Sequence, residues 1–178
     1  RTGDTPMTLS SRARLATALK PDAFVSIHHD GGATATGTRP GTVVYHQADD
    51  EVRAKRLAGL IHEEVVAALA TQQVAWATDG DAGVKVRLDD RGADYYGVLR
   101  NAVGVPSVFL RPAFVTNAPE EALLRTDAFR ALEAGAIARG ILRYLTSDDP
   151  GSGYAPPSSR PDAANGSGGP TCVDPPLQ

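Results

Sequence analysis

Four histidines, two adjacent glutamates and one arginine are the side chains of this sequence whose type and placement could do chemistry. His28 closes the apolar, β-branched run 23–28 (AFVSIH) and is followed by His29, Asp30 and two glycines. A histidine at a strand end beside a glycine-rich polar loop is placed to bind a metal or act as a general base. It is equally well placed to be a surface histidine at the start of a loop. Residues 28 and 29 face opposite ways if the strand continues, which separates them as ligands of one ion. His46 ends a second short run, 42–46 (TVVYH), and reads as a solvated strand end. His62 stands in a helical pattern beside Glu63 and Glu64 without HExxH spacing, and reads as a surface residue of that helix. Glu120 and Glu121 follow Asn-Ala-Pro and read as acidic residues at a helix N-terminus, where the dipole favours them. No GxSxG, P-loop or GxGxxG motif is present, so those classes have no support.

The elements that must position these groups alternate in type. Residues 8–19 place Leu9, Ala13, Ala16 and Leu19 near helical period, with Thr8 or Ser10 as cap and Pro21 beyond the end. Residues 23–28 predict a buried strand, 30–40 a glycine- and threonine-rich loop, and 42–46 a second strand. Residues 51–70 predict a helix with Leu57, Leu60, Ile61, Val65, Ala68 and Leu69 on one face. A short strand at 84–88, a short helix at 95–102 and a firm strand at 106–110 (PSVFL) follow, then helices at 120–125 and 128–145. This alternation predicts an α/β fold, a twisted, mostly parallel sheet flanked by helices on both faces. Function in such sheets collects at the carboxyl ends of the strands, and His28, His46 and Arg111 all stand at or just past one.

Composition bounds the rest. The chain has 178 residues, 42% hydrophobic and 22% charged, with a net charge of -3. That is one domain, with or without a tail. The acidic balance argues against a nucleic-acid surface, and no apolar run approaches the roughly 18 residues of a membrane helix. The single cysteine, Cys172, excludes an internal disulfide and a CxxC zinc site. From 147 onward more than half of the residues are Pro, Gly or Ser, and only Tyr154, Val173 and Leu177 are large and apolar. The expectation is an α/β domain over 1–146 and a disordered tail over 147–178. The start at Arg1, with neither an initiating Met nor a signal peptide, suggests part of a longer polypeptide.

A family resemblance runs through the same residues. Arg1-Thr2-Gly3-Asp4, then Leu9 and Arg12, then 23–28, resemble the TRxxD…L..R…A..FvSIHxN block of zinc-dependent N-acetylmuramoyl-L-alanine amidases of the AmiC/CwlV type. Residues 53–69 resemble that family's s..LA..i..el helix, and Val84-Lys85 with Leu99-Arg100 its GvK…vLr segment. Residues 105–110, then Phe114-Val115-Thr116-Asn117, Glu120-Glu121 and Leu124, resemble its vPavLvE.GFlsNp.E…L segment. The resemblance implies a zinc-amidase, phosphorylase/hydrolase-like fold lacking its N-terminal part. It implies a peptidoglycan hydrolase, working outside the cytoplasm, that cleaves the amide between N-acetylmuramic acid and L-alanine of the stem peptide.

Zinc is the implied cofactor. His28 matches the SIH ligand, while the family's other two ligands, a histidine and a glutamate, would precede Arg1. Arg111 falls where the family has its catalytic glutamate. An arginine cannot accept a proton at neutral pH, and its charge opposes a nearby zinc. His29, Asp30 and Asn117 are the accompanying substrate-binding candidates. Two functions follow as expectations: an amidase with weak or unusual catalysis, or a catalytically inactive amidase-like module that binds peptidoglycan or regulates cell-wall metabolism.

Overall fold

The computed structural model describes residues 7–32, 35–78 and 82–160. In chain order the elements are α1 (Leu9–Leu19), β1 (Phe24–Ile27), β2 (Ala35–Gly37), β3 (Val43–His46), α2 (Arg53–Leu69), β4 (Trp76–Thr78) and β5 (Gly83–Lys85). Then come β6 (Arg87–Leu88), α3 (Gly97–Arg100), β7 (Ser107–Arg111), α4 (Ala118–Leu124), α5 (Asp127–Thr146) and β8 (Ser158–Ser159). Of the two caps open to α1, Thr8 serves: its hydroxyl accepts from the Ser11 amide at 3.1 Å. The helix ends at Lys20, in the left-handed region at φ 48°, just before Pro21.

The fold class is the one expected, an α/β sheet with helices on both faces. Its four strands run in the order β1-β7-β3-β5. β1 pairs with β7, and β3 with β5, in parallel, whereas β3 and β7 are antiparallel. On one face Val44, Val84, Val108 and Leu110 bury themselves under α2 and α5. On the other Val43, Tyr45 and Phe109 lie against Leu9, Val98 and Leu99 of α1 and α3. α2 and α5 approach closely because residue 140 is glycine. A Cβ there would stand 2.6 Å from the Ile61 Cα, so any larger residue would force the two helices apart. No helix among the described residues is long and apolar enough to cross a membrane.

Three sequence expectations change. The loop 30–40 contains β2, which pairs antiparallel with β4, a strand the sequence reading lacks. The single strand expected at 84–88 is two, since β5 pairs with β3 while β6 pairs with β8. The third change concerns the tail. Residues 161–178 lie outside the described residues, but 147–160 are not an unpacked tail. They form a strap that turns back over α2 and runs along β5 and β6.

The strap lacks a core-forming face, as its composition says, and is held by backbone instead. Val84 donates to the Gly153 carbonyl and Ala155 to Val84, both at 2.8 Å, while Ser158 donates to Val86 and Arg160 to Leu88, both at 2.9 Å. Gly153, at φ 84°, lies flat on the His62 ring, where a Cβ would come within 2.5 Å of Nδ1. His62 is thus half-buried under the strap rather than a free surface residue, and that burial lowers its pKa. Arg56 donates from Nε to the Asp149 carbonyl at 2.9 Å and from Nη2 to Tyr144 at 3.1 Å, and also reaches Ser147. Arg143 pairs with Glu63 and Glu64 at 2.9 Å and with Asp149. Ending the chain at Thr146 is therefore expected to lower Tm by roughly 5 °C or more, at about 1 kcal/mol per lost hydrogen bond. A thermal melt of the truncated protein that matches the intact chain would show that the strap adds no stability.

Candidate functional site

Strand register decides which candidates meet. Ile27 lies beside Leu110, and the His28 amide donates to the Leu110 carbonyl at 3.0 Å, so His28 and Arg111 leave the sheet side by side. Across β7, the antiparallel β3 sets Val43, its first residue, against Arg111. His46, at the far end of β3, pairs with Val108 and belongs to the opposite rim. It is buried at 3% exposure, its Nδ1 donates to the Gln47 carbonyl at 2.8 Å, and burial lowers its pKa. The solvated strand end expected from the sequence is therefore a core histidine, turned away from His28 by the direction of β3.

Aromatic rings and guanidinium groups line the face that His28 shares with Arg111. The His28 ring lies 5.8 Å from Phe109, which contacts Tyr96 at 4.6 Å, and Tyr96 contacts Tyr45 at 4.8 Å. The Arg111 Nη1 donates to the Tyr45 hydroxyl at 3.1 Å. Arg87 lies 4.7 Å from the Tyr45 ring and donates to the Tyr96 hydroxyl at 2.7 Å. Asp30 forms an ion pair with Arg111. Its backbone carries the β1–β7 pairing onward, donating to Ala113 at 2.8 Å and accepting from Val115 at 2.7 Å. Burial, and then the charge of Arg160, pull the Arg111 pKa down to about 10, which leaves it cationic at neutral pH. Burial and then Arg111 lower the pKa of His28, favouring the neutral ring that can ligate or accept a hydrogen bond.

The other candidates are engaged elsewhere. His29 points to the α5 face, where its Nε2 meets both carboxylate oxygens of Glu133 at 3.0 and 3.1 Å. It is therefore not brought to His28 and Arg111. Asn117 caps α4, its Oδ1 accepting from the Glu120 amide at 3.2 Å. Glu120 is a structural surprise. It stands in the first turn of α4, as the sequence predicts, yet it is fully buried at 0% exposure. Its carboxylate accepts from the Phe114 amide at 2.7 Å and from the Ala77 amide, tying the turn after β7 to β4. Burial raises its pKa, while those two donors oppose the rise.

Among the described residues no group of three or more His, Cys, Asp or Glu side chains could hold a metal ion. His28 is a single candidate ligand with a cationic neighbour, so these residues do not by themselves fit a zinc centre. What Arg111 can do is donate, while the neutral His28 ring can also accept. A buried guanidinium beside a neutral histidine can hydrogen-bond a carbonyl or carboxylate oxygen, but cannot take up a proton. The sequence reading missed Tyr45, Tyr96, Arg87 and Arg160. The alternation of Val43 and Tyr45 with Val44 was a signal for the first, whereas Arg160 had none.

Three comparisons bear on this geometry. A family model described as N-acetylmuramoyl-L-alanine amidase matches residues 1–143. An uncharacterized protein, YqiI, of Bacillus subtilis is 32% identical over 145 residues, 81% of this chain and 61% of its own. The N-acetylmuramoyl-L-alanine amidase AmiA of Escherichia coli is 31% identical, over 82% of this chain and 59% of its own. The chain thus spans about three fifths of the length of these relatives. Among solved structures, the catalytic domain of CwlV, an N-acetylmuramoyl-L-alanine amidase from Bacillus (Paenibacillus) polymyxa var. colistinus, superposes with a TM-score of 0.62 at 29% identity. That match covers 82% of this chain and 69% of the other.

Glu120→Gln tests how the site is held. The amide can accept one of the two backbone N–H bonds, but its NH2 opposes the other, at a cost of about 1–3 kcal/mol. Urea denaturation should show this loss, and an unchanged midpoint would mean that Glu120 does not hold the turn.

Proposed function

Because the chain belongs to the N-acetylmuramoyl-L-alanine amidase family, we propose that it acts on peptidoglycan at the amide joining N-acetylmuramic acid to L-alanine. The observation that supports this reading is the β1–β7 register, which sets His28 and Arg111 side by side at one sheet rim. In this reading Arg111, held by Asp30 and Tyr45, binds a substrate oxygen. His28 presents a neutral ring to the same space. The work lies outside the cytoplasmic membrane, where peptidoglycan is. Zinc enters through the family alone, with His28 as the candidate ligand among the described residues.

A second reading has its own support. Arg111 cannot serve as a proton acceptor, and Asp30 is already paired with it. A module that grips peptidoglycan without cutting it needs only donors such as the Arg111 guanidinium. Sedimentation with purified sacculi and release of stem peptide by the full-length protein separate the two. Binding with little release is the expected wild-type result. Arg111→Glu alone would set two carboxylates together, so the informative variant is Asp30→Asn with Arg111→Glu. It should raise release at least tenfold, since a placed proton acceptor is worth about 10²- to 10⁴-fold. Wild-type release that the double variant does not exceed would show that position 111 is not a lost base. Failure to sediment would sink the peptidoglycan reading.

The metal expectation has its own measurement. After dialysis, polypeptide 1–178 should retain well below one equivalent of zinc, because a zinc centre needs at least three protein ligands. Stoichiometric, chelator-resistant zinc would contradict this.

A further inference from the structure

We propose that the strap is a recognition element, which carries Arg160 to the rim of the site as the guanidinium that pairs with a carboxylate of the substrate's peptide arm. The inference rests on the peptidoglycan reading and adds to it a residue that the family match does not contain. That match ends at residue 143, and the strap begins at 147.

The route of the strap is set by named contacts. Arg56 and Arg143 fasten its start, Gly153 seats it on His62, and its backbone pairs with Val84, Val86 and Leu88. The Ser158 hydroxyl accepts from Arg87 Nε at 3.2 Å, which joins the strap to the arginine already on the site face. Two residues later the Arg160 amide donates to Leu88, and its guanidinium lies 5.8 Å from the Tyr95 ring. Tyr95 meets Tyr96 edge-on at 5.2 Å, and Tyr96 contacts Tyr45, whose hydroxyl holds Arg111. The charge of Arg160 acts on both Arg111 and Tyr96.

Charge then separates the two arginines. Arg111 is neutralised by Asp30, whereas Arg160 is exposed and, among the described residues, has no acidic partner. Resting on a tyrosine ring, it keeps its donor edges for a ligand. A planar guanidinium matches a carboxylate through two parallel hydrogen bonds, and a peptide ending at this rim would supply that carboxylate.

The test uses the full chain and two synthetic N-acetylmuramoyl peptides, identical except that one ends in a carboxylate and the other in a carboxamide. Calorimetry should show the wild type preferring the carboxylate by about tenfold, as expected for one charge-assisted pair. Arg160→Gln should abolish the preference without changing Tm, since the side chain is exposed, and Arg160→Lys should keep part of it. A preference that survives in Arg160→Gln overturns the assignment and leaves the peptidoglycan reading standing. Failure of the wild type to bind either peptide overturns both.

Discussion

The position of β7 between a parallel and an antiparallel neighbour is the constraint on which this site depends. Five residues, Ser107–Arg111, fill the middle of the sheet and set the register of β1 on one side and β3 on the other. That register places Arg111 beside His28, sets Val43 across from it, and sends His46 to the far rim. It also divides the chemistry between faces. Residues 26, 28, 43, 45, 109 and 111 share the aromatic face, so a histidine one position along, His29, belongs to α5 and Glu133. A slip of one residue in β7 would exchange its faces, burying Arg111 beside Val44 and Val84 under α2 and α5 and turning Val108 and Leu110 out to the aromatic face.

The register is held from below by groups that do not touch the rim. Glu120 spends its buried carboxylate on the amides of Phe114 and Ala77, which fixes the turn that follows Arg111. Gln47 does similar work at the other end of β7. Its Oε1 accepts from the Ser107 amide at 3.1 Å while its Nε2 donates to the carbonyls of Leu99 and Ala102. Each leaves few backbone groups of the β7 flanks unmet, and unmet groups at that depth would be costly. The site therefore rests on polar side chains that look, in the sequence, like ordinary surface residues.

That contrast explains what was legible. α1, α2 and α5 show helical periodicity, and β1, β3 and β7 are compact β-branched runs, so the fold class and the strand-end placement of His28 and Arg111 could be read directly. The direction of β3 could not, because an apolar run of four residues carries no information about polarity. β2, β4, β6 and β8 span two or three residues each, too few for a period to register. The polar surroundings of His46 and His62 in the sequence predict exposure, and those of Glu120 only a helix start, whereas His46 is buried at the end of a core strand, His62 is covered by the strap, and Glu120 is buried against β4. The strap shows the same limit. Its composition correctly denies it a core, yet backbone pairing to an existing edge requires no core.

β5 ends the four-stranded sheet, and a bare terminal strand offers its amides and carbonyls to any other polypeptide. Here the molecule's own residues 153–155 have taken those of Val84. A second chain could pair with this edge only after the strap had peeled away from Val84. Pairing through β5 would then follow the fraction of molecules whose strap is open, and not simply their total concentration.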